Sequence, residues 1–181
     1  MANYVKISVI GPRPPAAPAG VSPEHLAERI VDFWQDRLAQ VLPDRPDLIV
    51  VPEACDRFAD FPRKELQEYY RRRGDRVRDF FAGVARSNRC YVAFCAVRQV
   101  PHDGSWRNST VVFDRSGGVA GVYDKNHVVI REREEQGILY GSEAPLIQCD
   151  FGRVACAICF DLNFDELRLK YVHSRPDLVI F

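Results

Sequence analysis

A thiol, a carboxylate and an ammonium stand at three places in this chain where a strand pattern ends: Cys159, Glu53 and Lys125. Residues 153–158, just ahead of Cys159, form a short run of apolar and small side chains, the pattern of a buried strand, and from Asn163 onward the spacing turns helical. A thiol between strand and helix feels the positive end of the helix dipole, which lowers its pKa from about 8.5 and enriches the nucleophilic thiolate. The same residue also reads as one more buried structural cysteine, since free cysteine is among the most buried residue types. On this stretch alone the two readings weigh equally. Glu53 follows Pro52 directly off the apolar run 48–51, and Lys125 closes a hairpin pattern. Each, taken singly, reads as a solvated charge. Cys156 and Cys159 also spell Cys-x-x-Cys, but His25, His102, His127 and His173 show no ligand spacing, and strand residues three apart face opposite ways. No metal is expected.

The elements that must position these groups follow from periodicity. Residues 5–10 alternate and are β-branched, which predicts a first strand. Ser22-Pro23 suits a helix start, and Leu26, Ile30, Trp34, Leu38 and Leu42 recur at helical spacing until Pro43 and Pro46 stop them. The run 48–51 reads as a strand covered on both faces, so Glu53 lies at the carboxyl end of the second strand of a βαβ unit, where sites collect. A second helix is predicted over 65–86, weakened at Gly74 by about 1 kcal/mol relative to Ala, which makes Gly74 the place for a kink or break. Its Arg71-Arg72-Arg73 run, flanked by Glu65, Glu68 and Asp75, reads as a solvated face. A third strand is predicted over 90–97, a hairpin over 109–123, a charged surface loop or short helical turn over 131–136, and a strand over 145–149. Asn163 with Glu166 three positions on reads as a capping box opening the next helix, and 177–181 begins a last apolar strand.

With 181 residues and 46% hydrophobic content the chain suits one domain. Its 25 basic and 25 acidic residues cancel, which gives no reason to expect nucleic acid or an anionic membrane as partner. No apolar stretch reaches the length of a membrane span and no leader pattern opens the chain, so a cytoplasmic protein is expected. The six cysteines fall mostly in apolar runs, as reduced core thiols would.

Three segments together resemble the carbon-nitrogen hydrolases of the nitrilase superfamily. They are Leu48-Ile-Val-Val-Pro-Glu53; residues 108–127, which carry Asn108, the Gly117-Gly118 turn and Lys125; and Phe151-Gly-Arg-Val-Ala-Cys-Ala-Ile-Cys-Phe-Asp161, with Glu166 and Arg168 beyond it. The likeness runs from the first strand to the last residue. It implies an α/β fold, a four-layer αββα sandwich, and a Glu-Lys-Cys triad with no cofactor. Carried over by position, Glu53 is the general base and acid, Lys125 the oxyanion stabiliser and Cys159 the nucleophile. A second glutamate that holds the lysine falls best on Glu134, judged by its distance from Gly141, with Glu135 next. The backbone N–H of Phe160 would complete the oxyanion site. Phe160-Asp161 resembles the amidase and carbamoyl-hydrolase pattern rather than the Trp-Glu of true nitrilases, which favours a small linear amide or N-carbamoyl compound as substrate.

Members of that family look longer, so the chain resembles the first two thirds of one domain, with a sandwich incomplete after the strand at 177–181. A homo-oligomer is expected. An inactive nitrilase-like fragment or interaction subunit is the alternative. A papain-like pairing of Cys159 with His127 is disfavoured because no histidine sits in that family's sequence context.

Overall fold

The computed structural model describes residues 4–18 and 20–181. Three parallel strands, β1 (Ile7–Val9), β2 (Leu48–Val50) and β3 (Tyr91–Gln99), continue into an antiparallel pair, β4 (Trp106–Phe113) and β5 (Val119–Asp124). They make one sheet in the order β1-β2-β3-β4-β5. A second sheet holds β6 (Ile147–Cys149), β7 (Gly152–Cys156) and β8 (Leu178–Ile180), with β7 antiparallel to β6 and parallel to β8.

The period-2 alternation of the strands decides what each face touches. From β2 and β3, Ile49, Val92, Phe94 and Ala96 enter a core with Ile30 and Trp34 of α1 (Pro23–Leu38) and with side chains of α2 (Leu66–Arg73) and α3 (Arg76–Asn88). The intervening Leu48, Tyr91, Ala93 and Cys95 face the other way and pack on Ile147, Val154 and Cys156 of the second sheet. Leu167 and Tyr171 of α5 (Asp165–Ser174) join that second core. The layers therefore run helix, sheet, sheet, helix, as expected. Among the described residues no helix is long and apolar enough to cross a membrane.

The helix predicted over 65–86 does break at Gly74, its anticipated weak point, where φ 55° and ψ −136° end the helix in a conformation that glycine tolerates. Other local expectations are corrected. Arg73 leaves the solvated face assigned to its run. It is 4% exposed, its Nη2 donates to the Val97 carbonyl at 2.6 Å, and its Nε lies 2.9 Å from the carboxylate of the fully buried Asp56. The capping box at Asn163 does not form. Residues Cys159–Asn163 make a 3₁₀ turn instead, Phe164 is extended, and α5 opens at Asp165. The charged segment over 131–136 takes the helical alternative, as α4 (Ile130–Gln136), but it is not all surface: Glu132 and Gln136 turn inward.

Candidate active site

Each group of interest sits where the fold changes direction. Glu53 lies three residues past β2, at the carboxyl end of the parallel part of the sheet. Lys125 follows β5, and its backbone N–H still donates to the Asn108 carbonyl of the neighbouring strand at 2.8 Å. The chain then doubles back, and Gly141 N–H donates to the Lys125 carbonyl at 2.8 Å. A Cβ at Gly141 would come within 2.5 Å of the Asp124 carbonyl oxygen, so only glycine permits this approach. Cys159 opens the 3₁₀ turn with φ 47°, left-handed backbone that a non-glycine residue adopts at a cost of order 1 kcal/mol or more. The other five cysteines are buried, and only Cys159 is exposed.

The side chains converge. Lys125 is 1% exposed, and its Nζ donates to Glu53 Oε1 at 2.8 Å and to Glu132 Oε2 at 2.8 Å. Asn108, buried near the start of β4, bridges the same two carboxylates: its Nδ2 donates to Glu53 Oε1 at 2.6 Å and to Glu132 Oε1 at 2.8 Å. Glu132 also accepts from the Val129 N–H at 3.0 Å, which ties it to the start of its own helix. Cys159 lines the same cleft, about 480 Å³ in volume, as Glu53, Lys125 and Glu132.

Electrostatics sort these groups. Burial alone would pull the Lys125 ammonium toward neutrality, but the hydrogen bonds and charges of Glu132 and Glu53 outweigh it, and its pKa rises. Burial likewise pushes the Glu132 carboxyl up, and Lys125 with the Val129 and Asn108 donors outweighs that, so its pKa falls. Both stay charged at neutral pH. The Cys159 thiol moves up, first through partial burial and then through the Glu53 carboxylate, whose charge repels the thiolate; Lys125 opposes this only in part. The expectation of a thiol acidified by a helix dipole is therefore corrected. The next α-helix opens only at Asp165, while a carboxylate stands beside the sulfur. The resting pair is a thiol next to a carboxylate that can take its proton.

A second network fixes the turn. Asp161 is fully buried, and its carboxylate accepts from the Ile158 N–H at 2.9 Å, the Tyr123 hydroxyl at 2.6 Å and the His127 N–H at 2.8 Å. One carboxylate thus binds the segment after Lys125 to the turn that carries Cys159. The His127 ring stacks on Phe164 with centroids 3.9 Å apart, which closes the same joint from outside.

Glu134 is corrected as well. It is exposed on α4, as is Glu135, whose carboxylate pairs with Arg63 at 3.3 Å, and the carboxylate at Lys125 belongs to Glu132. Counting back from Gly141 selected the wrong member of an acidic run, because helical geometry turns residues 132 and 134 about 200° apart. Asn108 and Asp161 carried no assigned role in the sequence. Asn108 opens the quoted hairpin segment, and nothing in its type announces a bridge between two acids.

A family model for carbon-nitrogen hydrolases matches residues 16–181. A probable nitrilase of Schizosaccharomyces pombe is 30% identical over 73 residues, which are 40% of this chain and 26% of that relative. The probable hydrolase YhcX of Bacillus subtilis is 34% identical over 68 residues, 38% of this chain and 13% of the relative. Among solved structures, a mutant amidase from Nesterenkonia sp. AN1, with acrylamide added at its active-site cysteine, superposes with TM-score 0.74 at 18% identity, covering 97% of this chain and 65% of that one. A carbon-nitrogen hydrolase from Helicobacter pylori gives TM-score 0.68 at 20% identity over 97% of this chain and 58% of that one. The chain thus spans roughly three fifths of these solved relatives' length. At such identities the structures attest the fold, and the family match carries the assignment: the chain belongs to the carbon-nitrogen hydrolase family of the nitrilase superfamily.

Proposed function

We propose that this protein hydrolyses the C–N bond of a small linear amide or N-carbamoyl compound through a thioester on Cys159. The observation that carries the reading is that Glu53, 2.8 Å from the Lys125 ammonium, lines the same cleft as the one exposed cysteine, Cys159. In the first half-reaction Glu53 takes the thiol proton as the sulfur attacks the carbonyl carbon, and the carbonyl π pair moves onto oxygen. Lys125 Nζ and the Phe160 backbone N–H, at the leading end of the 3₁₀ turn, stabilise that oxyanion. Collapse re-forms the carbonyl and breaks the C–N bond, and the proton held by Glu53 goes to the departing nitrogen. Water then gives Glu53 a proton while attacking the thioester. The second oxyanion collapses with loss of thiolate, which Glu53 reprotonates. Glu132 and Asn108 act as positioning residues: they keep Lys125 charged and hold Glu53 in place.

The Nesterenkonia amidase, with its reactive active-site cysteine, is a precedent on the same fold. Phe160-Asp161 supports amides over nitriles. The test is single-turnover hydrolysis with mass detection of an acyl adduct. Wild-type protein should carry the adduct at residue 159, and Cys159→Ala, Glu53→Gln and Lys125→Ala should each lose at least about 10² in rate. Full turnover in any of the three would refute the mechanism.

A further inference from the structure

The cleft over Cys159 carries positive charge that the hydrolytic chemistry leaves unused. Four cations line it, Arg57, Arg63, Lys125 and Arg131, against two carboxylates, Glu53 and Glu132. Lys125 is enclosed between both carboxylates, so the inner end keeps one surplus negative charge while the three arginines belong to the mouth. Arg63 is partly engaged with Glu135 at 3.3 Å. Arg131 is exposed and has no hydrogen bond or ion pair among the described residues. Arg57 spends one Nη2 donor on Gln136 Oε1 at 3.1 Å, and its Nε is buried without a hydrogen-bond partner.

A second cavity, about 310 Å³, shares Glu53 and Cys159 but runs between the sheets, lined by Val9, Val50, Ala93 and Ile180. Among the described residues Glu53 is the one charged side chain lining it. A carboxylate placed there would lose its hydration and face a like charge, whereas an aliphatic chain would be at home. The two cavities therefore differ in character, one lined by arginines and the other almost wholly apolar.

We propose that the mouth selects amides whose far end carries a carboxylate, held by the guanidinium groups of Arg131 and Arg57. Planar, always-charged forks match a carboxylate, and their charge draws such a substrate toward the cleft. The proposal rests on the hydrolase reading and narrows it to acid monoamides and N-carbamoyl amino acids.

The experiment compares the monoamide of glutaric acid with pentanamide, which has the same carbon count and no charge, on the wild-type protein and on Arg131→Gln. The acid monoamide should show kcat/KM about tenfold or more above pentanamide, mainly through a lower KM. That ratio should fall severalfold in Arg131→Gln, and also in wild type when salt rises from 50 to 500 mM, as roughly tenfold higher ionic strength shortens the screening length. Equal kcat/KM for the two amides, or a ratio unchanged in Arg131→Gln and in Arg57→Gln, would overturn the proposal. Calorimetry on Cys159→Ala separates it from the hydrolase reading. Binding of the acid monoamide that weakens in the added Arg131→Gln background supports the charge-reading mouth even where neither amide is turned over, and absence of binding sinks it.

Discussion

Glu132 Oε2 lies 2.8 Å from Lys125 Nζ, while Glu134, two residues along the same short helix, faces outward. The pair is buried, with side-chain exposures of 1% for Lys125 and 8% for Glu132, so each charge depends on the other. Glu132→Gln removes the charge that fixes the ammonium and is expected to lower kcat by about 10- to 100-fold, the loss of one buried charge-assisted contact. Glu134→Gln should stay within about twofold of wild type, as surface changes usually do. Steady-state amide hydrolysis by the two variants side by side checks this, and a reversed ranking would return the role to Glu134.

Asn108 gives the next test. Its Nδ2 is shared by Glu53 Oε1 and Glu132 Oε1, which holds two acids apart and aimed. Asn108→Asp would place a third carboxylate among them, and like charges at this range push a proton onto one of the group. The expected result is a drop in kcat of about 10² or more with a pH optimum displaced, whereas Asn108→Ser, which keeps a donor, should retain more activity. Indistinguishable pH profiles for Asn108→Asp and wild type would rule out the bridging role.

How far the sequence shows these things depends on range. β2, β3 and the β4–β5 hairpin are legible because each is a local pattern: an unbroken apolar run, a β-branched run, two runs about a glycine turn. Glu53, Lys125 and Cys159 are found through the three family segments, while their sharing one cleft is a fact of tertiary packing, with β2 and β5 in one sheet and β7, which leads to Cys159, in the sheet stacked on it. Glu132 escapes because its neighbours Glu134 and Glu135 are the same residue type, and only the turn of α4 about Val129 separates inward from outward. Asp161 escapes as a clamp because its three donors come from residues 123, 127 and 158. Arg73 escapes because nothing local distinguishes it from Arg71 and Arg72; its partner Asp56 lies in a loop 17 positions upstream.

The Cys159 thiol sets the pH behaviour. Partial burial and the Glu53 charge raise its pKa above the ordinary thiol value, so the thiolate forms later as pH rises. Alkylation by iodoacetamide, followed from pH 6 to 11, should show a midpoint above that of a free cysteine. In Glu53→Gln the repelling charge is gone and the midpoint should move down, while in Lys125→Met the counter-charge is lost and it should move up. A wild-type midpoint below the free-cysteine value would contradict this arrangement and reinstate the helix-dipole reading.

Asp56 and Arg73 bear on the loop that carries Glu53. Asp56 is fully buried and Arg73 4% exposed, their nearest atoms are 2.9 Å apart, and neither carboxylate oxygen makes an aligned hydrogen bond. The contact is a charge pair with poor geometry, so its attraction does little more than offset the cost of removing both ions from water. The asymmetry of such pairs makes a sharp expectation. Arg73→Met leaves Asp56 buried with no counter-charge and should lower unfolding free energy by about 3–5 kcal/mol, a large share of the roughly 5–15 kcal/mol typical of a domain. Asp56→Leu combined with Arg73→Met removes both ions and should recover most of that loss. Urea unfolding of the single and double variants at pH 7 decides it. A double variant as unstable as the sum of its single changes would mean that the two charges do not couple, and that each residue steadies the Glu53 loop through its other contacts, Arg73 through the Val97 carbonyl and Asp56 beside the packing of Tyr69 and Phe58.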